Sequence, residues 1–197
     1  MLLPVLFALS QAFAAEPVRS IELLPAGGYA INGAPAPVIG FGSFKDVVVH
    51  PRDPQLVVKV FNSQWGPSVA EKRLEVANIA ALATAQAAPR LVEQGATMVK
   101  GKPTGFVVQE RVSGLNLERP TPTKLAEVKT LFSRLVKARI ELGDTASDSK
   151  LRQNIMVGET RSDGFGAYVI DADLVASRKS PEELKAFYAK LFDRLSQ

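Results

Sequence analysis

Apolar residues follow two different periodicities along the chain. From Pro37 they come as short β-branched runs: Val38-Ile39, Val47-Val48-Val49 and Leu56 to Phe61. His50-Pro51-Arg52-Asp53-Pro54-Gln55 separates the last two, so the pattern predicts three antiparallel strands joined by hairpin turns. Residues 68 to about 87 are rich in Ala, Leu and Glu at helical spacing and are closed by Pro89, which predicts one long helix. Met98 to Lys100 and Phe106 to Gln109 flank Gly101-Lys102-Pro103-Thr104-Gly105 and read as a further hairpin. Leu125, Val128, Leu131, Phe132, Leu135 and Val136 recur at helical spacing, predicting a helix over 123–142 with its apolar stripe inward. Short strands follow near Ile155-Met156-Val157 and Tyr168-Val169-Ile170. Ser180 as N-cap, Pro181 at the first position and Glu183 completing a capping box then open a final helix. Upstream, 16–36 carries Gly27-Gly28, Asn32-Gly33 and several prolines, and reads as a loosely structured lead-in with one short strand at Tyr29 to Ile31. This order of elements predicts an α+β fold.

Composition narrows the chemistry. The 197 residues are 46% hydrophobic and 22% charged, one globular domain's worth, which excludes disordered, collagenous and solenoid architectures. A net charge of +4 is a mild bias towards anionic partners and does not call for nucleic acid. With no cysteine, disulfide frameworks, thiolate metal sites and thiol nucleophiles are excluded. The single histidine, His50, sits beside Pro51 in a turn, so a Ser-His-Asp triad or multi-histidine metal site has almost nothing to work with. Residues 1–15, MLLPVLFALSQAFAA, are an apolar run ending in Ala12-Phe13-Ala14, the small-x-small pattern of a signal peptidase site. An exported or secreted protein is expected, although no Lys or Arg precedes Arg19. The run is too short to cross a bilayer, and no membrane span is expected.

Four segments carry candidate chemistry. Gly40-Phe41-Gly42-Ser43-Phe44 lies between two expected strands, where glycines let backbone N–H groups approach phosphate oxygens. Lys59 is a lone charge in the apolar run Val57-Val58-Lys59-Val60-Phe61 and shares a face with Val57 and Phe61. A buried ammonium there needs an anionic partner. The next helix offers Glu75, on a stripe with Ile79 and Leu82, or Glu71 one turn earlier, with Glu75 favoured. Gln109-Glu110-Arg111-Val112-Ser113-Gly114 runs from a strand into a connector whose backbone groups suit a flat heterocycle. Asp148-Ser149-Lys150 precedes Asn154, and Asp171 follows the last short strand. A carboxylate and a carboxamide at strand ends are suitable hard ligands for magnesium holding a triphosphate.

In this order the segments resemble the protein-kinase fold. Gly40 to Phe44 with Val47 is similar to the kinase phosphate loop, Lys59 to the third-strand lysine and Glu75 to its helix partner. Gln109 resembles the gatekeeper, and the resemblance implies that adenine would use backbone groups of Glu110 and Val112. Asp148 to Asn154 resembles the catalytic loop, which implies Asp148 as acceptor of the hydroxyl proton, Lys150 as a clamp on the transferred phosphoryl group and Asn154 as a metal ligand. Val169-Ile170-Asp171 resembles the strand and metal-binding aspartate of the DFG motif. ATP and magnesium are thus the implied cofactors.

Several positions depart from the family pattern. Lys45 stands at the third loop glycine, the HRD histidine and arginine are absent, Asp148 to Asn154 is one residue longer than the family spacing, and Ala172-Asp173 replaces Phe-Gly. Asp144, in Gly143-Asp144, is the alternative base. Residues 172–197 leave no room for an activation segment or the remaining helices of an ordinary C-lobe. The chain therefore resembles minimal, two-lobed bacterial effector kinases, including the group that phosphorylates the eukaryotic ninety-kilodalton heat-shock chaperone. The expected kinase domain is 37–197, divided near residue 112, acting as a monomer on Ser/Thr of a target protein, with a host chaperone as the implied partner. The alternatives are a pseudokinase that only binds nucleotide or protein, and a small-molecule phosphotransferase of the aminoglycoside type.

Overall fold

The computed structural model describes residues 16–42, 45–61, 69–143, 145, 147–171 and 174–197, with the backbone alone for 69–73, 75 and 174–176. The lead-in is more ordered than its composition suggests. Strands β1 (Ile21–Leu23), β2 (Tyr29–Ile31) and β3 (Ala34–Ala36) form an antiparallel sheet. Its glycines serve tight turns, with positive φ at Gly27, Gly28 and Gly33. Burial supplies the order that local propensity lacks: Val18, Ile21, Tyr29, Ile31 and Ala36 all pack in one apolar cluster with the next sheet.

That second sheet has five antiparallel strands: β4 (Val38–Phe41), β5 (Lys45–Val49), β6 (Leu56–Phe61), β7 (Leu91–Val99) and β8 (Lys102–Glu110), in the order β4-β5-β6-β8-β7. All six residues of β6 are buried, the apolar run carrying even the single charge, Lys59, out of solvent with it. Alternation divides them. Leu56, Val58 and Val60 join Val48, Phe106 and Val108 under the β1–β3 sheet. Val57, Lys59 and Phe61 point the other way, and the register sets Lys59 opposite Val47 and Val57 opposite Gln109. Tyr29 ties the two sheets by donating its hydroxyl to Asp46 Oδ2 at 2.6 Å; burial, reinforced by that carboxylate, raises the pKa of the phenol.

Helix α1 (Val69–Thr84) crosses the inner face, where Ile79 packs with Phe61 and Val107. Gln86 adopts φ 54° and Ala87 N–H donates back to Leu82 O at 2.8 Å, so a left-handed cap ends the helix ahead of Pro89. The β7–β8 hairpin turns on Lys100-Gly101 alone, both with positive φ. The expected five-residue turn 101–105 is therefore mostly strand. Glycine is needed at 95, where a Cβ would sit 2.7 Å from the Phe106 ring, and Phe61 packs closely over Gly105.

Beyond β9 (Ser113–Asn116) comes α2 (Pro122–Lys137), capped by Thr121. It stops short of the expected residue 142 because Arg139 turns to φ 58°, and β10 (Ile140–Leu142) follows. Next are α3 (Asp148–Asn154), β11 (Ile155–Thr160), β12 (Gly164–Val169), β13 (Leu174–Ala176) and α4 (Pro181–Leu195). Antiparallel pairing joins β10 to β13 and builds a three-stranded sheet in the order β12-β11-β9. Its core partners are Leu131, Leu135, Leu184 and Leu191 from α2 and α4. The capping box of α4 forms as expected, and Glu183 is held below the ordinary carboxylate range chiefly by the Ser180 backbone N–H. Gly114, Gly158 and Gly166 align across the three strands. A Cβ on Gly158 would collide with the Ser113 carbonyl and one on Gly114 with the Val157 carbonyl, so the strands meet where only glycine fits. The fold is α+β, and among the described residues no helix is long and apolar enough to cross a membrane.

Candidate functional site

A cleft of about 640 Å³ lies between the five-stranded sheet, its roof, and the β12-β11-β9 sheet, its floor. Gly40, Phe41, Gly42, Val47 and Lys59 border it from above. Gln109, Glu110 and Val112 close the back, and Asn154 and Asp171 border it from below. Residues expected to act together from the sequence are thus brought to one cavity from six separate segments. Ser43 and Phe44 lie outside the described residues, as do the side chains of Glu71 and Glu75, whose backbones belong to α1.

Each group has a structural reason for its place. A Cβ on Gly42 would stand 2.9 Å from the Lys45 carbonyl, so this close approach of the two strand ends favours glycine there. Gly40 has ordinary room, its nearest neighbour being Val47 at 3.6 Å. Strand alternation sends Lys59 into the cleft at 6% exposure, where its Nζ donates to Ile170 O at 2.6 Å. Val47 and Val57 above and Met156 below line the cleft with apolar surface on both sides, a slot that suits a flat ring. Gln109 is buried and donates Nε2–H to Pro89 O at 3.2 Å.

The closed end of the cleft is held by a set of bonds that the sequence did not single out. The buried carboxylate of Glu110 accepts from Ser162 N at 2.9 Å and from the Ser162 hydroxyl. Arg161 donates to both carboxylate oxygens of Asp53, at 2.6 and 2.8 Å, and to Gln55 Oε1 at 2.6 Å. Arg111 N–H donates to Gln55 O at 2.7 Å. These bonds bind the β5–β6 turn, the connector and the β11–β12 hairpin into one clasp. No motif announces it: Arg161-Ser162-Asp163 reads as an ordinary polar turn.

At the open end, Asn154 closes α3 and its carbonyl accepts from Ile170 N at 2.8 Å, which fixes the start of β11 against the end of β12. Asp171 follows β12 and accepts from Lys45 Nζ at 2.8 Å. Asp148 and Lys150 do not join this group. The expected loop is helical because the Ser147 hydroxyl caps it by accepting from Lys150 N. Asp148 is exposed at the head of α3, ion-paired with Arg194, and neither residue lines the cleft. Asp144 lies outside the described residues.

The donor set suits a phosphate-bound magnesium. Asp171 and Asn154 offer a carboxylate and a carboxamide, and among the described residues no three His, Cys, Asp or Glu side chains gather to hold a metal by themselves. A small hard cation bound through one carboxylate plus phosphate oxygens is the usual magnesium arrangement. No family model matches the chain, and no curated protein matches it. Function is read from the cleft itself.

Proposed function

We propose that the chain is a minimal two-lobed protein kinase that binds magnesium-ATP between roof and floor and transfers the γ-phosphoryl group to a Ser or Thr hydroxyl of a target protein. The observation that carries this reading is the convergence of the glycine loop, Lys59, the Gln109 to Val112 connector, Asn154 and Asp171 on one cleft. ATP, when bound, supplies the phosphoryl group. The chain's own part is positioning and electrostatics, which is most of what phosphoryl transfer requires of a protein. Gly42 lets the loop backbone approach the phosphates, and Lys59 offsets their charge. The peptide groups of Glu110 and Val112 bind the edge of the base, and Val47, Val57 and Met156 pinch its faces. Asn154 and Asp171 would hold the metal.

The acceptor hydroxyl needs a carboxylate to orient it and take its proton. Asp148, paired to Arg194 away from the cleft, is poorly placed, so the role passes to Asp144, which follows β10. The same pairing favours a second reading, a pseudokinase that binds nucleotide without transfer. Resemblance to effector kinases and the export segment 1–15 make a host protein the expected substrate, with a chaperone the first to try.

The test is incubation of the purified chain with γ-labelled ATP, magnesium and either a eukaryotic or a bacterial lysate, beside Asp171→Ala. Label on a discrete protein with the wild type alone supports the kinase. Magnesium-ATP binding without label leaves the pseudokinase, and absence of binding removes both.

A further inference from the structure

We propose that Lys45 is a second phosphate-binding ammonium of the cleft, sharing the Asp171 carboxylate with any divalent ion the site takes up, so that the two cations compete for it. This rests on the nucleotide-binding reading above. Lys45 and Lys59 lie on adjacent strands and one face: the β5–β6 register sets Lys45 opposite Phe61 and Lys59 opposite Val47, which makes the lysines diagonal neighbours. Their ammonium groups end on consecutive residues, Lys59 Nζ on Ile170 O at 2.6 Å and Lys45 Nζ on Asp171 Oδ1 at 2.8 Å. A lysine at a hairpin end ordinarily keeps its charged head in water. Lys45 instead folds inward, with only 11% of its side chain exposed.

Two ammonium groups brought to consecutive residues at one strand end present paired positive charge, which an anion with several charged oxygens can engage at once. A polyphosphate chain has that form. Asp171 has a different chemistry. Its Oδ1 accepts a charged hydrogen bond from Lys45, so a metal that takes that oxygen displaces the Lys45 ammonium, which then turns to the phosphate oxygens it neighbours. Lys45 and the metal therefore supply overlapping positive charge, and phosphate binding should persist when the metal is withheld.

Calorimetric titration of the full chain with ATP, adenosine and inorganic tripolyphosphate, each in EDTA and in magnesium, tests this. In EDTA the wild type should bind ATP and tripolyphosphate, and Lys45→Gln should weaken both about tenfold, leaving adenosine unchanged. Lys45→Arg should keep most of the affinity, and circular dichroism checks that each variant is folded. Asp171→Asn should tighten metal-free ATP binding, and that gain should vanish in the Lys45→Gln background. Metal-free ATP and tripolyphosphate binding that is equal in wild type and Lys45→Gln would overturn the assignment. So would a wild type that binds ATP only with magnesium, an outcome that leaves the nucleotide reading intact. Tripolyphosphate bound through Lys45, with no affinity for adenosine, would uphold the anion site and remove the nucleotide reading.

Discussion

Roof and floor of the cleft are both antiparallel sheets, yet they are anchored differently. The roof is covered on two sides, by the β1–β3 sheet outside and by α1 within, and its central strand is wholly buried. The floor rests on α2 and α4, and both sheets keep exposed apolar residues at their margins, Phe41 and Met98 in the roof and Leu115 and Phe165 in the floor. The chemistry follows the anchoring. Roof residues such as Lys59 and Val47 stand mid-strand, where the ladder fixes their direction. Floor residues stand at strand ends, Asn154 just before β11 and Asp171 just past β12. The cleft is thus lined by mid-strand side chains above and by side chains at strand ends below.

The strongest challenge to this contrast is Lys59→Met, which removes the mid-strand charge and keeps the volume. Phosphoryl transfer should fall at least about 100-fold, read by label incorporation, with the circular dichroism spectrum unchanged. Comparable activity in the variant would show that the roof does not supply the phosphate charge. Next come paired glycine substitutions. Gly158→Ala should destabilise by about 3 kcal/mol in urea unfolding, because the strands must part to admit a Cβ. Gly40→Ala, whose Cβ meets Val47 at an ordinary 3.6 Å, should stay within about 1 kcal/mol of wild type. A third comparison sets cover against exposure: Ile31→Val, inside the roof cluster, should cost about 1 kcal/mol, and Leu115→Ser on the open floor less than about 0.5 kcal/mol.

The smallest effect belongs to the floor side alone. The pKa of Glu183 is lowered in the folded chain, mainly by the Ser180 N–H, so its contribution is present above the unfolded value of 4.5 and is lost as pH falls through the lowered one. Glu183→Gln should unfold more readily than wild type at neutral pH, and the gap should close on acidification. A gap independent of pH between 7 and 2 would assign the capping role to shape alone.

Much of the roof was legible because β-branched runs and alternation are strong local signals. They placed Lys59 on one face with Val57 and Phe61, and the strand register adds Val47 and Gln109 beside them. The α4 start was equally plain, since Ser180, Pro181 and Glu183 act within one turn. What escaped depends on contacts distant in sequence or on short segments. The β1–β3 sheet owes its order to packing on β6, and its glycines masked that. Three-residue β10 continued the apolar pattern of α2, with only the left-handed Arg139 to part them. Seven-residue α3 is too short to show a period, so Asp148 looked like part of a loop. The clasp of Arg161 and Ser162 on Asp53, Gln55 and Glu110 joins segments over 50 residues apart and leaves no mark in any one of them.

The order of strands also bears on how the chain is made. Every strand of the roof, and the sheet that covers it, comes from residues 21–110, so its ladders can close as soon as that length has left the ribosome. The floor must wait, because β9 pairs with β11 only after α2, β10 and α3 have been synthesised. During that interval Val57, which lines the cleft, lacks the floor that later faces it.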